Sequence, residues 1–300
     1  MRARLVWLLL CGIWGSTWLF IKVGLADLPP LTFAGIRFVI ALAILGCFVV
    51  IRGLPVPTSR DDWFLLAWTG VLSFTLNYGL VFWGEQYISS GLAAVLQATI
   101  PAFGLVMAHF YLPTERMTPA KVVGVILGIL GVTIVFSNQL SVAGSKAFAG
   151  SVAIVLSALF VAYSNVMIKA RARHLNPAII AGGQMFFGLI PLLLVGIPLE
   201  GNPLHFHWTR MAIVSLLYLA IVGSVIAFLL YYWLVQNMDV TKTMLIALLT
   251  PVAAVVLGMV VLGEELSWRT IFGGSMIIGG IGLIVIARGR QQLDGIEAGA

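Results

Sequence analysis

Long apolar runs alternate with short polar interruptions along the whole chain. The runs cover about 5–25, 31–51, 63–84, 89–111, 119–136, 150–169, 177–197, 208–234, 240–262 and 269–287. An α-helix rises 1.5 Å per residue, so about 20 apolar residues cross the roughly 30 Å hydrocarbon core of a bilayer. The interruptions carry turn and cap residues: Asp27-Leu28-Pro29-Pro30, the stretch from Pro55 to Asp62, Ser89-Ser90-Gly91, and Asn176-Pro177. The pattern predicts an all-α integral membrane protein with ten transmembrane helices. It leaves no room for a separate soluble domain, and it predicts an unstructured polar tail after Arg288.

Composition agrees. The chain is 61% hydrophobic and 9% charged, against roughly 25% charged for soluble domains, and its mean hydropathy is +1.07. Arg2 and Arg4 before an apolar stretch resemble a signal peptide. The run from Leu5 to Leu25 is too long for one, holds three tryptophans, and lacks an Ala-x-Ala cleavage site, so a retained first span is expected. The net charge of +6 comes from basic residues scattered singly, which excludes a nucleic-acid partner. Cys11 and Cys47 sit inside apolar runs, so no disulfide framework is expected.

Lysine and arginine placement sets the orientation. With a cytoplasmic N-terminus, the inside segments hold Arg2, Arg4, Arg52, Arg60, Arg116, Lys121, Lys169, Arg171, Arg173, Lys242, Arg288 and Arg290. The outside segments hold Lys146, Arg210 and Arg269. Twelve against three predicts a multi-pass protein of the plasma (inner) membrane with both termini cytoplasmic.

The chain also repeats itself. Ile21-Lys22, Pro30, Gly35 and Arg37 are matched by Ile168-Lys169, Pro177, Gly182 and Gln184 at an offset of 147. Trp83, Gln86 and Pro101 are matched by Trp233, Gln236 and Pro251 at an offset of 150. Glu115-x-x-Thr118 with Gly124 and Gly131 is matched by Glu264-x-x-Ser267 with Gly273 and Gly280 at 149. The expected units are residues 1–140 (spans 1–5) and 141–300 (spans 6–10). Five spans per unit is an odd number, so the second unit enters the membrane from the other side. Two inverted five-helix repeats are an architecture of secondary transporters.

Ile13-Trp14-Gly15-Ser16-Thr17-Trp18, Pro29-Pro30, Arg37, Pro101 and Glu115-Arg116-x-Thr118 together resemble the drug/metabolite transporter superfamily. They are most similar to its ten-helix EamA-type exporters, over residues 5–287. The resemblance implies efflux of small metabolites, often amino acids, by alternating access, with a central cavity lined by spans 1, 3, 4, 6, 8 and 9. Gln184 departs from the pattern of Arg37, which leaves the arginine without a counterpart in the second half.

Candidate substrate-binding residues follow from polarity at depth. Pro101 and Pro251 lie near the centres of spans 4 and 9. A proline there deletes a helical hydrogen bond and kinks the helix, which protein or a watery cavity must compensate. Gln97 lies one turn before Pro101; Trp14 and Trp18 sit at i, i+4 on span 1 with Thr17 alongside; span 3 carries Asn77-Tyr78, and span 6 carries Tyr163 and Asn165. Such groups either bind helices together or receive a substrate. Trp63, Trp208 and Trp268 lie at span ends, as interface anchors do.

All eleven carboxylates fall in loops, tails or span ends, so no buried Asp or Glu is expected as a proton carrier. Neutral, zwitterionic or anionic substrates are therefore favoured over permanent cations. A structural or gating role is expected for Arg37 and Glu85, either as a pair or with Arg37 meeting a substrate carboxylate. Gly124, Gly128 and Gly131 on span 5, and Gly273 to Gly282 on span 10, allow close helix approach or a homodimer contact. A passive channel and a membrane enzyme are the rival classes. Gly273-Gly274-Ser275-Met276-Ile277 lacks the final small residue of a serine-protease motif, and His205-x-His207 is a thin basis for a metal. No catalytic residue, metal or cofactor is expected.

Overall fold

The computed structural model describes residues 2–112, 118–138, 144–172, 174–237 and 246–297, and among them there is no β-strand. Glu115, Arg116, Arg173 and Lys242, which bear on the repeat and the orientation, lie outside the described residues. The helices are α1 (Arg2–Gly24), α2 (Pro30–Ile51), α3 (Arg60–Glu85), α4 (Ser90–Tyr111), α5 (Pro119–Asn138), α6 (Gly144–Arg171), α7 (Pro177–Glu200), α8 (210–237), α9 (Ile246–Leu262) and α10 (Trp268–Glu297). Seven of them are long and apolar enough to cross a membrane; α5, α9 and α10 contribute shorter apolar stretches, Pro119–Val135, Leu249–Leu262 and Trp268–Ile284. Helix α10 runs on to Glu297, where the sequence predicts an unstructured tail.

The polar interruptions start helices by local chemistry. Pro30 and Pro177 occupy first turns, where a missing N–H costs nothing. Ser59, Ser89, Asn176 and Thr209 accept hydrogen bonds from the backbone N–H groups of Asp61, Leu92, Ala178 and Ala212. Two helix starts are also capped from a distance. Glu200 at the end of α7 accepts from Leu31 N and Thr32 N at 2.8 and 2.6 Å, at the start of α2. Glu264, after α9, accepts from Ser90 N, Ser90 Oγ and Gly91 N at 2.7, 2.9 and 3.2 Å, at the start of α4. A carboxylate there meets both unsatisfied donors and the positive end of the helix dipole.

Helices α3 and α8 are not uniform. Val71–Leu76 and Tyr218–Ile226 are π-helical, each continuous with α-helix on both sides. The two segments lie at corresponding places in the halves, at the offset of 150 that relates Pro101 to Pro251.

Packing pairs the halves. Helix α2 lies on α7, α4 on α9, and α5 on α10. All three pairs are antiparallel: Gly35 faces Leu193 while Gly196 faces Leu31; Gly91 faces Val255 while Gly258 faces Ser90; Gly124 faces Gly280 while Gly131 faces Gly273. Most of the other contacts also have counterparts: α1 with α9 and α6 with α4, α1 with α8 and α6 with α3, α2 with α8 and α7 with α3. The largest apolar core, including Phe33, Phe38, Phe82, Leu96, Ile154 and Met185, lies between these elements.

Asp27, in the α1–α2 connection, accepts from Thr209 Oγ1 at 2.5 Å and lies 3.2 Å from His207 Nδ1. Those two contacts, Thr209 first, hold its carboxyl below the usual aspartate range. A lowered pKa means the contribution to stability is present above about pH 4, the unfolded value, and is lost as pH falls through the folded one. Asp27→Asn should therefore make the melting temperature of the purified protein fall less steeply than wild type below about pH 4. Identical acid profiles would show that Asp27 contributes nothing.

A second test concerns the α5/α10 seam. A Cβ on Gly131 would lie 2.4 Å from the carbonyl oxygen of Gly273, whereas one on Gly128 meets nothing within 4 Å. Gly131→Ala should destabilise by about 1–3 kcal/mol through overpacking. Gly128→Ala should be neutral or slightly stabilising, since Ala suits a helix better than Gly. Thermal unfolding of the two variants side by side decides it.

Candidate functional site

Helices α1, α9, α4, α6 and α3 contact one another in that order, α8 returns to α1, and Phe74 of α3 meets Phe228 of α8 at 6.5 Å between ring centroids. These six helices form a ring, with α2 and α7 outside it on α3 and α8, and α5 and α10 paired at the edge. The predicted site residues on α1, α3, α4, α6 and α9 all belong to ring helices.

On α3, α4, α6 and α7 the polar residues join into one network. Gln97 Nε2 donates to Asn77 Oδ1 at 3.0 Å, and Ser157 Oγ donates to Gln97 Oε1 at 2.8 Å. Asn77 Nδ2 donates to Ser73 O, Ser73 Oγ to Ser164 Oγ, and Ser164 Oγ to Thr69 O. Gln184 Nε2 closes it, donating to Thr69 Oγ1 at 2.9 Å and Ser164 Oγ at 3.2 Å. The structure thus brings Asn77 and Gln97 together. It also adds Thr69, Ser73, Ser157 and Ser164, which sequence reasoning missed and whose signal was small polar residues on the same helices as Asn77 and Tyr163, and Gln184 of α7, noted in the sequence only as the counterpart of Arg37. Asn165 takes no part in the network and is exposed, and Tyr163, half-buried, packs edge-on against Tyr111.

The π segment of α3 is held by these same groups. Ser73 and Thr75 lie in it, and Thr75 Oγ1 donates to Gly188 O of α7 at 2.6 Å. π-Helical insertions leave carbonyls out of the regular ladder and often mark functional places.

Trp14 packs on Tyr231 and Phe228, Trp18 lies against the main core, and Thr17 Oγ1 donates to the carbonyl of Trp14. Ser16 shares a 2.6 Å hydrogen bond with the Tyr218 hydroxyl, whose ring stacks on Phe20 at 3.9 Å. The two prolines differ. Helix α4 breaks at Ala98–Thr99, just before Pro101, which has no N–H to offer the Gln97 carbonyl. Helix α9 continues as α-helix from Ile246 through Pro251, which lies inside it and offers no N–H to the Ala247 carbonyl.

Arg37 does not pair with Glu85. Its Nε donates to Ser224 Oγ at 3.1 Å and its Nη2 reaches Gly223 O at 3.5 Å, both in the π segment of α8. The rings of Phe38 and Tyr78 each lie 5.1 Å from the guanidinium carbon. Glu85 corrects a second expectation. Although it ends α3, it is fully buried, and neither carboxylate oxygen has a hydrogen-bond partner. Lys22, which faces both Glu85 and Glu264, donates instead to the carbonyls of Glu85 and Ile88 at 2.6 Å each. Interhelical packing covers this helix end, which position along the chain did not reveal.

Two apolar grooves, about 550 and 360 Å³, lie on the outside of the bundle between α2 and α7 and between α3 and α7. None of the predicted site residues lines either groove.

The profile of the EamA-like transporter family matches residues 2–137 and again 148–286. The uncharacterized inner membrane transporter YedA of Escherichia coli (strain K12) is 30% identical over 259 residues, covering 85% of this chain and 81% of YedA. The uncharacterized transporter YoaV of Bacillus subtilis (strain 168) is 26% identical over 281 residues, 94% of this chain and 96% of YoaV. A solved crystal structure of a chain 20% identical superposes with a TM-score of 0.67, covering 96% of this chain and 98% of the other. At that identity the likeness concerns the fold.

The network yields a test of what Gln97 is for. A double-mutant cycle over Gln97→Ala and Asn77→Ala should give a coupling of about 0.5–1.5 kcal/mol in stability. Coupling near zero would mean that the amide contact holds nothing together.

Proposed function

The chain belongs to the EamA-like transporter family, and on that premise we propose that it is a secondary transporter exporting small metabolites, amino acids or related compounds among them, by alternating access. The proposed machine is two inverted five-helix repeats, residues 1–140 and 141–300, giving ten membrane crossings in the inner membrane with both termini cytoplasmic. One observation carries the reading: helix contacts and π segments correspond between the halves, and the mutually packed counterparts α2/α7, α4/α9 and α5/α10 run antiparallel. Two halves of one construction, turned over relative to each other, can exchange conformations so that an inward-open state becomes an outward-open one.

In this orientation the ends bearing Lys22, Glu85, Ser90, Glu200 and Glu264 face outside. Lys22 donates from α1 to the Glu85 carbonyl of α3, while Glu200 accepts from Leu31 N of α2 and Glu264 accepts from Ser90 N of α4, tying α1 to α3, α7 to α2 and the α9 end to α4 there. The arrangement suits a state closed to the exterior. Trp14, Thr17, Trp18, Asn77, Tyr78, Gln97, Pro101, Tyr163, Asn165 and Pro251 are proposed to border the substrate path, with a structural or gating role for the buried Arg37 and Glu85.

Reconstituted into proteoliposomes, the protein should show saturable counterflow of at least one compound from an amino-acid and metabolite panel. Flux that never saturates and never exchanges would identify a channel. Orientation is checked separately, with Cys11 and Cys47 replaced. A cysteine at the exposed Ser145 should react with an impermeant thiol reagent from outside intact cells. One at the exposed Thr58 should react only after the membrane is opened. The opposite pattern would overturn the topology.

A further inference from the structure

Arg37 is a full positive charge inside an apolar bundle, with a relative exposure of 2%. Arginine stays protonated in proteins and carries five N–H donors. Two contacts, to Ser224 Oγ and Gly223 O, are made by Nε and Nη2; Nη1 has no partner. Among the described residues no carboxylate lies within ion-pair distance of it. A buried charge lacking a counter-charge is strongly unfavourable, and a chain normally pairs it or replaces it.

The other half of the molecule shows that the charge is not needed for packing. Gln184 stands at the corresponding place on α7, and its neutral amide bonds Thr69 of α3 and Ser164 of α6 without leaving a buried donor unmet. Holding a neighbouring helix at this position therefore takes an amide only. The arginine brings two things beyond that: a charge and a free edge of the guanidinium plane.

Its surroundings lie on the ring of helices. Tyr78 of α3 flanks the guanidinium, and a Cβ on Gly223 would lie 2.8 Å from Thr17 Cγ2 of α1 and 3.6 Å from Arg37 Nη2. Helices α1, α2, α3 and α8 thus converge on Arg37, and Gly223 keeps a side chain out of the junction. We propose that Arg37 is an anion-binding residue of the transport site, receiving the carboxylate of the transported metabolite on its Nη1 edge. This deepens the transporter reading and rests on it. One cation with no other nearby charge neutralises one negative charge, which matches a carboxylate and leaves a phosphate dianion uncompensated. The planar edge also suits two parallel hydrogen bonds to carboxylate oxygens. Opening of the junction around the π segment of α8 would admit the ligand.

The experiment uses the full chain in detergent and ligand-induced shifts in melting temperature. The probes are L-amino acids and two- to six-carbon monocarboxylic acids, each beside its carboxamide, with a phosphate monoester as a further arm. At least one carboxylate should stabilise the wild type, and its carboxamide should bind at least tenfold more weakly. Arg37→Gln, which copies the residue of the other half, should fold and lose that preference. Arg37→Lys, keeping the charge without the planar edge, should retain part of it.

Equal binding of acid and amide by the wild type needs no variant to interpret and overturns the proposal. So do stabilisation by the phosphate monoester alone, no stabilisation by any carboxylate, and an undiminished preference in Arg37→Gln. Counterflow in proteoliposomes separates this from the broader reading. Transport indifferent to the carboxylate would leave the transporter standing without an anion site. Carboxylate binding at Arg37 with no counterflow of any compound would do the reverse.

Discussion

Hydrocarbon offers no hydrogen bonds, and much of this structure answers that shortage. It confines the backbone to helices and favours deviations from the helical ladder where another helix supplies a partner. The π segment of α3 has Ser73 and Thr75 tied to α6 and α7; that of α8 has Ser224 and Gly223 tied to Arg37 of α2. The starts of α2 and α4 are met by Glu200 and Glu264 from helices remote in sequence. Irregular backbone and long-range polar contacts therefore occur together, and the contacts that satisfy the backbone also fix how the helices sit.

Close packing supplies the rest, because lipid gives helices no hydrophobic reason to prefer each other. At Gly84 and Gly150 the backbones of α3 and α6 approach so closely that a Cβ on either would come 2.8 Å from the other's carbonyl oxygen. The same holds between α5 and α10. Glycines at such seams are structural, whereas Gly128, Gly279 and Gly282, beside the same seam, face open space.

Helix positions were largely legible in the sequence, since the constraint that makes a span is its own run of apolar residues. Starts at Pro30, Ser90 and Pro177 were legible for the same local reason. Burial at a helix end was not, because Glu85 is covered by neighbouring helices. The π segments left no periodicity signal, since apolar residues surround α3 and α8 on most sides. Proline position alone did not tell the two cases apart: α4 is interrupted before Pro101, whereas α9 continues past Pro251 although that residue offers no N–H to the Ala247 carbonyl. Of the candidate site, the Asn77–Gln97 contact joins two predicted residues, while Ser157 and Ser164 were hidden by being small. A serine carries little weight in a composition, yet inside a bundle its single hydroxyl can decide where two helices meet.

The duplicated architecture gives the departure at Arg37 its meaning. Arg37 and Gln184 stand at corresponding places and each ties its helix to a π-bearing neighbour, Arg37 to Gly223 and Ser224 within the π segment of α8, Gln184 to Thr69 just before that of α3 and also to Ser164 of α6. A substrate has no such symmetry. A zwitterion or organic acid presents one anionic end, so a site built between matched halves must break the match somewhere to orient it. A neutral amide in one half and a guanidinium without a counter-charge in the other makes such a break at a single pair of positions. On this view the buried cation is costly in the empty protein because its partner arrives with the cargo, and that differential stabilisation is what a carrier requires of a ligand that shifts its conformational equilibrium.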